Sequence, residues 1–269
     1  MTVAGVGAEV TRAQQPRLPL LADEVGEEYR RAYDAGATIG HIHGRRPDGT
    51  PTQDRETFRA YSEAIRARCP IVRQFSTGGA VGMGVEERIE ALDLGPEMAT
   101  LTLGTCNFGN DVFENSLPTI RTILERIRKH GIVPELEIFD LGMTDYARFL
   151  VERGVLRPPF VFNVLLGSLG TLAATPLNLA VVTGALPEGS VWAGAGIGRF
   201  QLPMNALAIA AGGHVRVGLE DNLWLDHEKT RPATNLALVE RLVSIARAAE
   251  RPIATPTEAR ELIGLLRPA

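Results

Sequence analysis

The chain is poor in cysteine. Its 269 residues include 2, Cys69 and Cys106, which form neither a disulfide framework nor a metal-type or redox-type cluster. Long apolar runs are missing as well, and none approaches the roughly 20 residues needed to span a bilayer. The opening residues, Met1-Thr2-Val3-Ala4-Gly5, have neither the basic stretch nor the apolar core of a signal peptide. The cysteines are therefore expected to be reduced, small core residues of a cytoplasmic protein. Charge of one sign is not in excess. Lys and Arg number 28 and Asp and Glu 32, a net charge of −4, so the electrostatic footprint of a nucleic-acid binder is missing and no membrane partner is expected. Low-complexity linkers and short repeats are absent too, which leaves a single domain over residues 1–269.

Hydrophobic residues make up 45% of the chain and charged residues 22%, which allows a sizeable core. Short apolar runs alternate with segments of helical period. The pattern predicts strands at Thr2–Ala8, Thr38–His43, Pro70–Ser76, Met98–Leu103, Ile132–Ile138, Pro159–Leu165, Val191–Ala195 and His214–Gly218. It predicts helices at Ala22–Ala35, Asp54–Arg68, Glu86–Leu92, Pro118–Lys129, Thr144–Arg153, Leu177–Thr183, Met204–Ala211 and Thr234–Ala249. About eight β-then-α units is the count of an α/β TIM (β/α)8 barrel. The strand runs are apolar rather than alternating, as expected of parallel strands covered by helices. A doubly wound sheet would share that alternation, but a barrel makes a sharper demand: its chemistry belongs at the C-terminal strand ends. Those ends carry Glu9, His41 and His43, Ser76, Thr100 and Thr102, Glu137 and Asp140, and Glu220-Asp221.

His41-Ile42-His43 is the strongest local signal. Side chains two apart on a strand share a face, so two imidazoles at one strand end can hold one divalent ion; a hydrogen-bonded pair without metal is the competing reading. Of the other histidines, His130 is expected at an exposed helix end, His214 as a structural residue and His227 in a solvated loop. In Arg216-Val217-Gly218-Leu219-Glu220-Asp221-Asn222 a strand ends in two adjacent carboxylates. One could complete a His, His, Glu site with open positions, and the other act as a base; a helix-capping turn is the plainer alternative. Ser76-Thr77-Gly78-Gly79 offers a hydroxyl and glycine amides as an anion nest, or an ordinary turn. Gly194-Ala195-Gly196-Ile197-Gly198-Arg199 imitates a dinucleotide fingerprint, and a phosphate site or close strand-to-helix packing would read the same way. Glu135 and Glu137 place two carboxylates on one strand face, with Arg216 as a candidate partner for Glu137.

These stretches, with Gly7-Ala8-Glu9, Gly44-Arg45, Asp48-Gly49, Pro96-Glu97-Met98-Ala99-Thr100, Gly104-Thr105, Asn107-Phe108 and Gly212-Gly213-His214, resemble the β-keto acid cleavage enzymes in order over nearly the whole chain. The resemblance implies a zinc-dependent TIM barrel, a homo-oligomer (dimer or tetramer), and condensation of a β-keto acid with acetyl-CoA to acetoacetate and a new CoA thioester. An amino-bearing acid of lysine degradation, 3-keto-5-aminohexanoate, is the implied substrate. Carried over by motif, His41, His43 and Glu220 ligate zinc. Asp221 is the base, with Arg216 orienting it and Glu137 supporting the pair. Ser76, Gly79 and Thr100 bind the substrate carboxylate and keto region, and Glu9 faces the substrate. Zinc would polarise the keto oxygen, and Arg216 is expected to depress the Asp221 pKa.

Three positions depart from the family pattern: Thr102 replaces an asparagine, Leu166-Gly167-Ser168-Leu169-Gly170 lacks the usual proline and paired glycines, and Gly44 is small for its place. All three are expected near the pocket. A zinc hydrolase is the nearest rival, but it needs histidines on later strands. A class II aldolase fits the Glu220-Asp221 pair poorly, and a non-catalytic metabolite-binding barrel would be expected to have lost a ligand or the base.

Overall fold

The computed structural model describes residues 1–265. Eight parallel strands close into a barrel: β1 (Thr2–Ala4), β2 (Ile39–Ile42), β3 (Val72–Phe75), β4 (Met98–Thr102), β5 (Val133–Ile138), β6 (Val161–Leu166), β7 (Val191–Gly196) and β8 (His214–Val217). Thr2 of β1 pairs with Ile39 on one side and with Arg216 on the other, so the first and last strands seal the ring. The helices α1 (Ala22–Ala35), α2 (Arg55–Arg66), α3 (Val85–Arg88), α4 (Leu117–Lys129), α5 (Leu141–Glu152), α6 (Pro176–Ala185), α7 (Gln201–Ala210) and α8 (Asn235–Ala248) follow the strands in turn, and α9 (Pro256–Leu262) comes last.

Local chemistry sets these elements. Asp54, Ser116 and Thr234 cap α2, α4 and α8 by accepting from the backbone N–H three residues on. Helix α2 buries Phe58, Tyr61 and Ile65, a single stripe at helical spacing. Helix α8 does the same with Leu238, Val239, Leu242, Val243 and Ala246. The apolar core lies between strands and helices. Below the barrel, Ile39, Val72, Met98 and Val161 meet Ala259 and Ile263 around α9, which plugs the N-terminal end. Above that plug the lumen is polar: His41, Gln74, Thr100, Glu135, Asn163 and Arg216 are all buried. Bulky branched residues usually fill such a lumen, so the polar filling marks where the barrel does its chemistry.

The predicted strands are all present, some shorter than expected: β1 stops at Ala4, not Ala8. Helix α5 begins at Leu141, which makes Asp140 its exposed N-cap residue rather than a site residue. Two antiparallel rim hairpins, Gly44–Arg45 with Pro51–Thr52 and Cys106–Phe108 with Asp111–Phe113, were not predicted, nor was α9. Both cysteines are buried free thiols, and burial pushes Cys106 up to about 11. No helix among the described residues is long and apolar enough to cross a membrane.

The glycine-rich run after β7 is explained by packing. A Cβ on Gly194 would lie 2.8 Å from that of Ala208, and one on Gly196 would lie 2.1 Å from the Phe200 carbonyl oxygen. These glycines let α7 close onto β7 and β8. Asn205 then ties the two strands together, donating to the carbonyls of Gly194 and Arg216 at 2.9 Å each.

Candidate active site

A cavity of about 120 Å³ opens at the C-terminal end of the barrel, lined among others by Glu9, His41, His43, Ser76, Gly79, Glu137, Arg216, Glu220 and Asp221. The sequence placed these at or just past strand ends, except Arg216, which it put inside the last strand. Thr100 stands apart: it is buried behind the wall, its hydroxyl accepting from the Thr77 N–H at 3.1 Å and its carbonyl from the Thr77 hydroxyl at 2.8 Å. It therefore shapes the Ser76–Gly79 turn without facing the cavity.

His41, His43 and Glu220 come together from β2 and the turn after β8. Glu220 Oε2 lies 3.6 Å from His41 Nε2, and Oε1 lies 3.4 Å from His43 Nε2. Each of the three residues offers a ligand atom, all within 4.8 Å of one another. Glu220 Oε1 also accepts from Arg216 Nη2 at 2.6 Å, whereas its Oε2 is buried without a hydrogen-bond partner. With one carboxylate oxygen unpaired beside His41 Nε2 and the other facing His43 Nε2, the three side chains form a donor set that could hold a divalent cation, and zinc would suit it. The His41 Nδ1 lies 2.8 Å from Gln74 Oε1. That bond places the proton on Nδ1 and leaves the Nε2 lone pair facing the site. Gly7, at φ +70°, makes room for Glu220: a Cβ there would lie 2.8 Å from Glu220 Cγ.

Asp221 is held separately. Arg216 Nε donates to its Oδ2 at 2.9 Å and Nη2 to its Oδ1 at 3.0 Å. The Gly198 N–H fixes its backbone by donating to the Asp221 carbonyl at 2.7 Å. Arg216 Nη1 reaches Glu137 Oε1 at 3.4 Å, and Thr102 Oγ1 donates to Glu137 Oε2 at 2.6 Å. Thr102 thus orients Glu137. Below them Glu135 is buried in the lumen, where burial and the Glu137 charge raise its pKa.

The two adjacent acids differ in proton affinity. Burial opposes ionisation of Glu220, but Arg216 and the two histidines outweigh it and hold the carboxyl well below the usual range. At Asp221 burial wins: with the Glu220 charge beside it, its pKa rises despite the Arg216 grip. Arg216 does pull the Asp221 pKa down, as expected, but the net shift is upward because burial outweighs it. A raised pKa makes Asp221 the stronger base of the two. Burial also works against a charged His41, yet the Glu220 carboxylate and its neighbours leave it above its ordinary value.

An apolar wall of Val81, Phe108, Phe113, Phe139, Leu165 and Ile197 faces the charged floor. The sequence reading missed it. The Asn107-Phe108-Gly109-Asn110 turn signal could have revealed the hairpin that carries Phe108 and Phe113. Gly44 proves not to be a pocket residue: a Cβ there would strike the Thr52 carbonyl oxygen at 2.5 Å and Phe58, so its smallness serves hairpin packing. His130 is half-buried beside Asp93 rather than exposed, at 3.1 Å. His214 opens β8 and His227 is exposed in a loop, as expected.

The family model described as beta-keto acid cleavage enzyme matches residues 1–265. The 3-keto-5-aminohexanoate cleavage enzyme of Fusobacterium nucleatum is 47% identical over 267 residues, covering 98% of this chain and 97% of that protein. The 3-oxoadipate:acetyl-CoA acetyltransferase of Cupriavidus necator is 35% identical over 270 residues, covering 98% and 94%. Among solved structures, apo ObcA superposes with a TM-score of 0.78 at 20% identity, covering 93% of this chain and 66% of that one, a likeness of fold.

Proposed function

Since the chain belongs to the β-keto acid cleavage enzyme family, we propose that it condenses a β-keto acid, 3-keto-5-aminohexanoate or a close analogue, with acetyl-CoA to give acetoacetate and a new CoA thioester. The observation that carries this reading is the division of labour between neighbours: Glu220 sets its two oxygens against His41 and His43, with Oε2 left unpaired, while Asp221 is gripped apart from them.

In this reading Ser76 and the Gly79 backbone receive the substrate carboxylate, and Glu9, exposed at the cavity mouth, meets the amino group. His41, His43 and Glu220 hold zinc, which supplies Lewis-acid polarisation of the keto oxygen. Asp221 takes a proton from the carbon between carbonyl and carboxylate. That carbon attacks the acetyl thioester and expels CoA thiolate. The thiolate then attacks the former keto carbon, and the carbon–carbon bond breaks. The new thioester leaves, and Asp221 returns its proton to the acetoacetate carbanion. Arg216 keeps Asp221 aimed throughout, and Glu137 steadies Arg216. The apolar wall excludes water from the carbanion. The reading carries with it a cytoplasmic homo-oligomer, dimer or tetramer, acting in lysine degradation.

The test is an assay of the zinc-loaded protein with acetyl-CoA and a panel of β-keto acids. Acetoacetate and a new thioester are expected from the wild type, with both lost in Asp221→Asn while zinc content is kept. Zinc bound without thioester exchange across the panel would overturn the reading in favour of a hydrolase. Glu9→Gln should lower turnover of amino-bearing acids selectively; an equal loss on acids without the amino group would remove Glu9 from that role.

A further inference from the structure

Arg88, at the end of α3, is 3% exposed. Its guanidinium donates to three neutral acceptors: the Thr77 carbonyl from Nε at 2.6 Å, the Glu114 carbonyl from Nη1 at 2.9 Å, and Asn115 Oδ1 from Nη2 at 2.6 Å. Its Cζ lies 5.1 Å from the centroid of the Phe113 ring, part of the cavity wall. Among the described residues no carboxylate pairs with it, and Glu137 and Glu114 act on it only through space. Burial brings its pKa down to about 10, which leaves it charged at neutral pH.

A buried cation ordinarily recruits a carboxylate. Asn115 stands where one would fit. Its Oδ1 takes the guanidinium, while its Nδ2 is buried with no partner. Aspartate has the same shape, would pair the charge and would remove the stranded donor. The chain thus keeps an unpaired cation and an orphaned amide at a place where a single substitution would relieve both.

The use for that charge lies one layer inward. The Thr77 carbonyl and the Gly78 N–H are the two ends of one peptide group. The Gly78 N–H donates to Ser76 Oγ at 3.1 Å, which frees the Ser76 hydroxyl hydrogen for the cavity that Ser76 lines. A guanidinium on the carbonyl end polarises the peptide and strengthens its N–H, and the serine that accepts from it becomes the better donor.

We propose that Arg88 is a positioning residue for anion recognition: it keeps unpaired positive charge behind the Ser76–Gly79 wall and passes it through the Thr77–Gly78 peptide to the Ser76 hydroxyl, so that the cavity selects a carboxylate over a neutral group. This rests on the reading in which Ser76 receives the substrate carboxylate.

The test is Asn115→Asp, which keeps every hydrogen bond that the guanidinium donates but cancels its charge. Binding of acetoacetate and of its neutral methyl ester to the zinc-loaded protein is measured by calorimetry. The wild type is expected to prefer the acid. Asn115→Asp should weaken acetoacetate about tenfold and leave the ester unchanged, with an unfolding midpoint equal to or above wild type. In turnover the loss should fall on KM rather than kcat. Arg88→Lys, which keeps charge without the fork, should retain part of the preference, and Arg88→Met none. A full preference for the acid in Asn115→Asp would overturn the inference and reduce Arg88 to a loop clamp. A wild type that binds acid and ester alike would also remove it, together with the role given to Ser76.

Discussion

Arg216 and Asp221 face each other as fork and fork, with two hydrogen bonds of 2.9 and 3.0 Å, and one of the donating nitrogens also reaches Glu220 at 2.6 Å. A single planar cation thereby aims the base and braces the metal-type carboxylate. Lysine carries the same charge but only one donor centre. Arg216→Lys is expected to lower kcat/KM by about a hundredfold or more, while zinc content stays near wild type because His41, His43 and Glu220 remain. Parallel measurement of acetoacetate formation and bound zinc checks this.

Gln74 makes a second prediction. Its amide oxygen sets the His41 proton at 2.8 Å, while its own Nε2 is buried and unpartnered. Gln74→Leu removes the bond that fixes the imidazole and should weaken zinc binding about 10- to 100-fold in competition with a chelator. Gln74→Glu, which still accepts from Nδ1, should keep most of the affinity. Equal affinity in Gln74→Leu would mean that packing alone orients the ring.

Thr102 makes a third. Its hydroxyl gives Glu137 a 2.6 Å hydrogen bond inside the barrel. Thr102→Val keeps the shape and strands the carboxylate oxygen, at a cost of about 1–3 kcal/mol, read as a lower unfolding midpoint. Thr102→Ser should restore it. Turnover should fall in step, since Glu137 braces the Arg216 fork.

Much of this site was legible because barrel topology turns strand ends into a ring. Once the apolar runs were counted, His41, His43, Glu220 and Asp221 fell at one rim without further information. The hairpins were not read because strands of two or three residues carry almost no periodicity, although Pro47-Asp48-Gly49 and Gly109-Asn110 were turn signals in plain view. The polar lumen was hidden for another reason. Gln74 and Asn163 sit inside apolar runs, and strand register alone sets Gln74 opposite His41 and Asn163 opposite Glu137. The direction of the Asp221 shift was misjudged because pair geometry was weighed without burial, which here outweighs the arginine.

His214 makes a fourth prediction, at β8's start, remote from the site. Burial draws its pKa from 6.5 down to about 4. Below pH 6.5 the unfolded chain takes up a proton that the folded chain refuses until about pH 4. The contribution of His214 is therefore full above 6.5 and is lost progressively as the pH falls toward 4. Unfolding midpoints measured across that interval should decline with acid, and His214→Gln should flatten the slope. An unchanged slope would show that other groups dominate it.

The seam between β1 and β8 has a kinetic meaning. Glu220 and Asp221 sit just past β8, Gly7 and Glu9 just past β1, and His41 lies in the adjoining strand with His43 just past its end, so most of the chain lies between the parts of one site. Asn235 links that seam, donating to the Gly5 carbonyl at 3.0 Å and accepting from the Leu219 N–H at 2.9 Å. These are contacts of high sequence separation, and loop-closure entropy makes them late to form. The site therefore comes into being only when the ring shuts, and recovery of its zinc affinity after dilution from denaturant would time the last step of folding rather than the first.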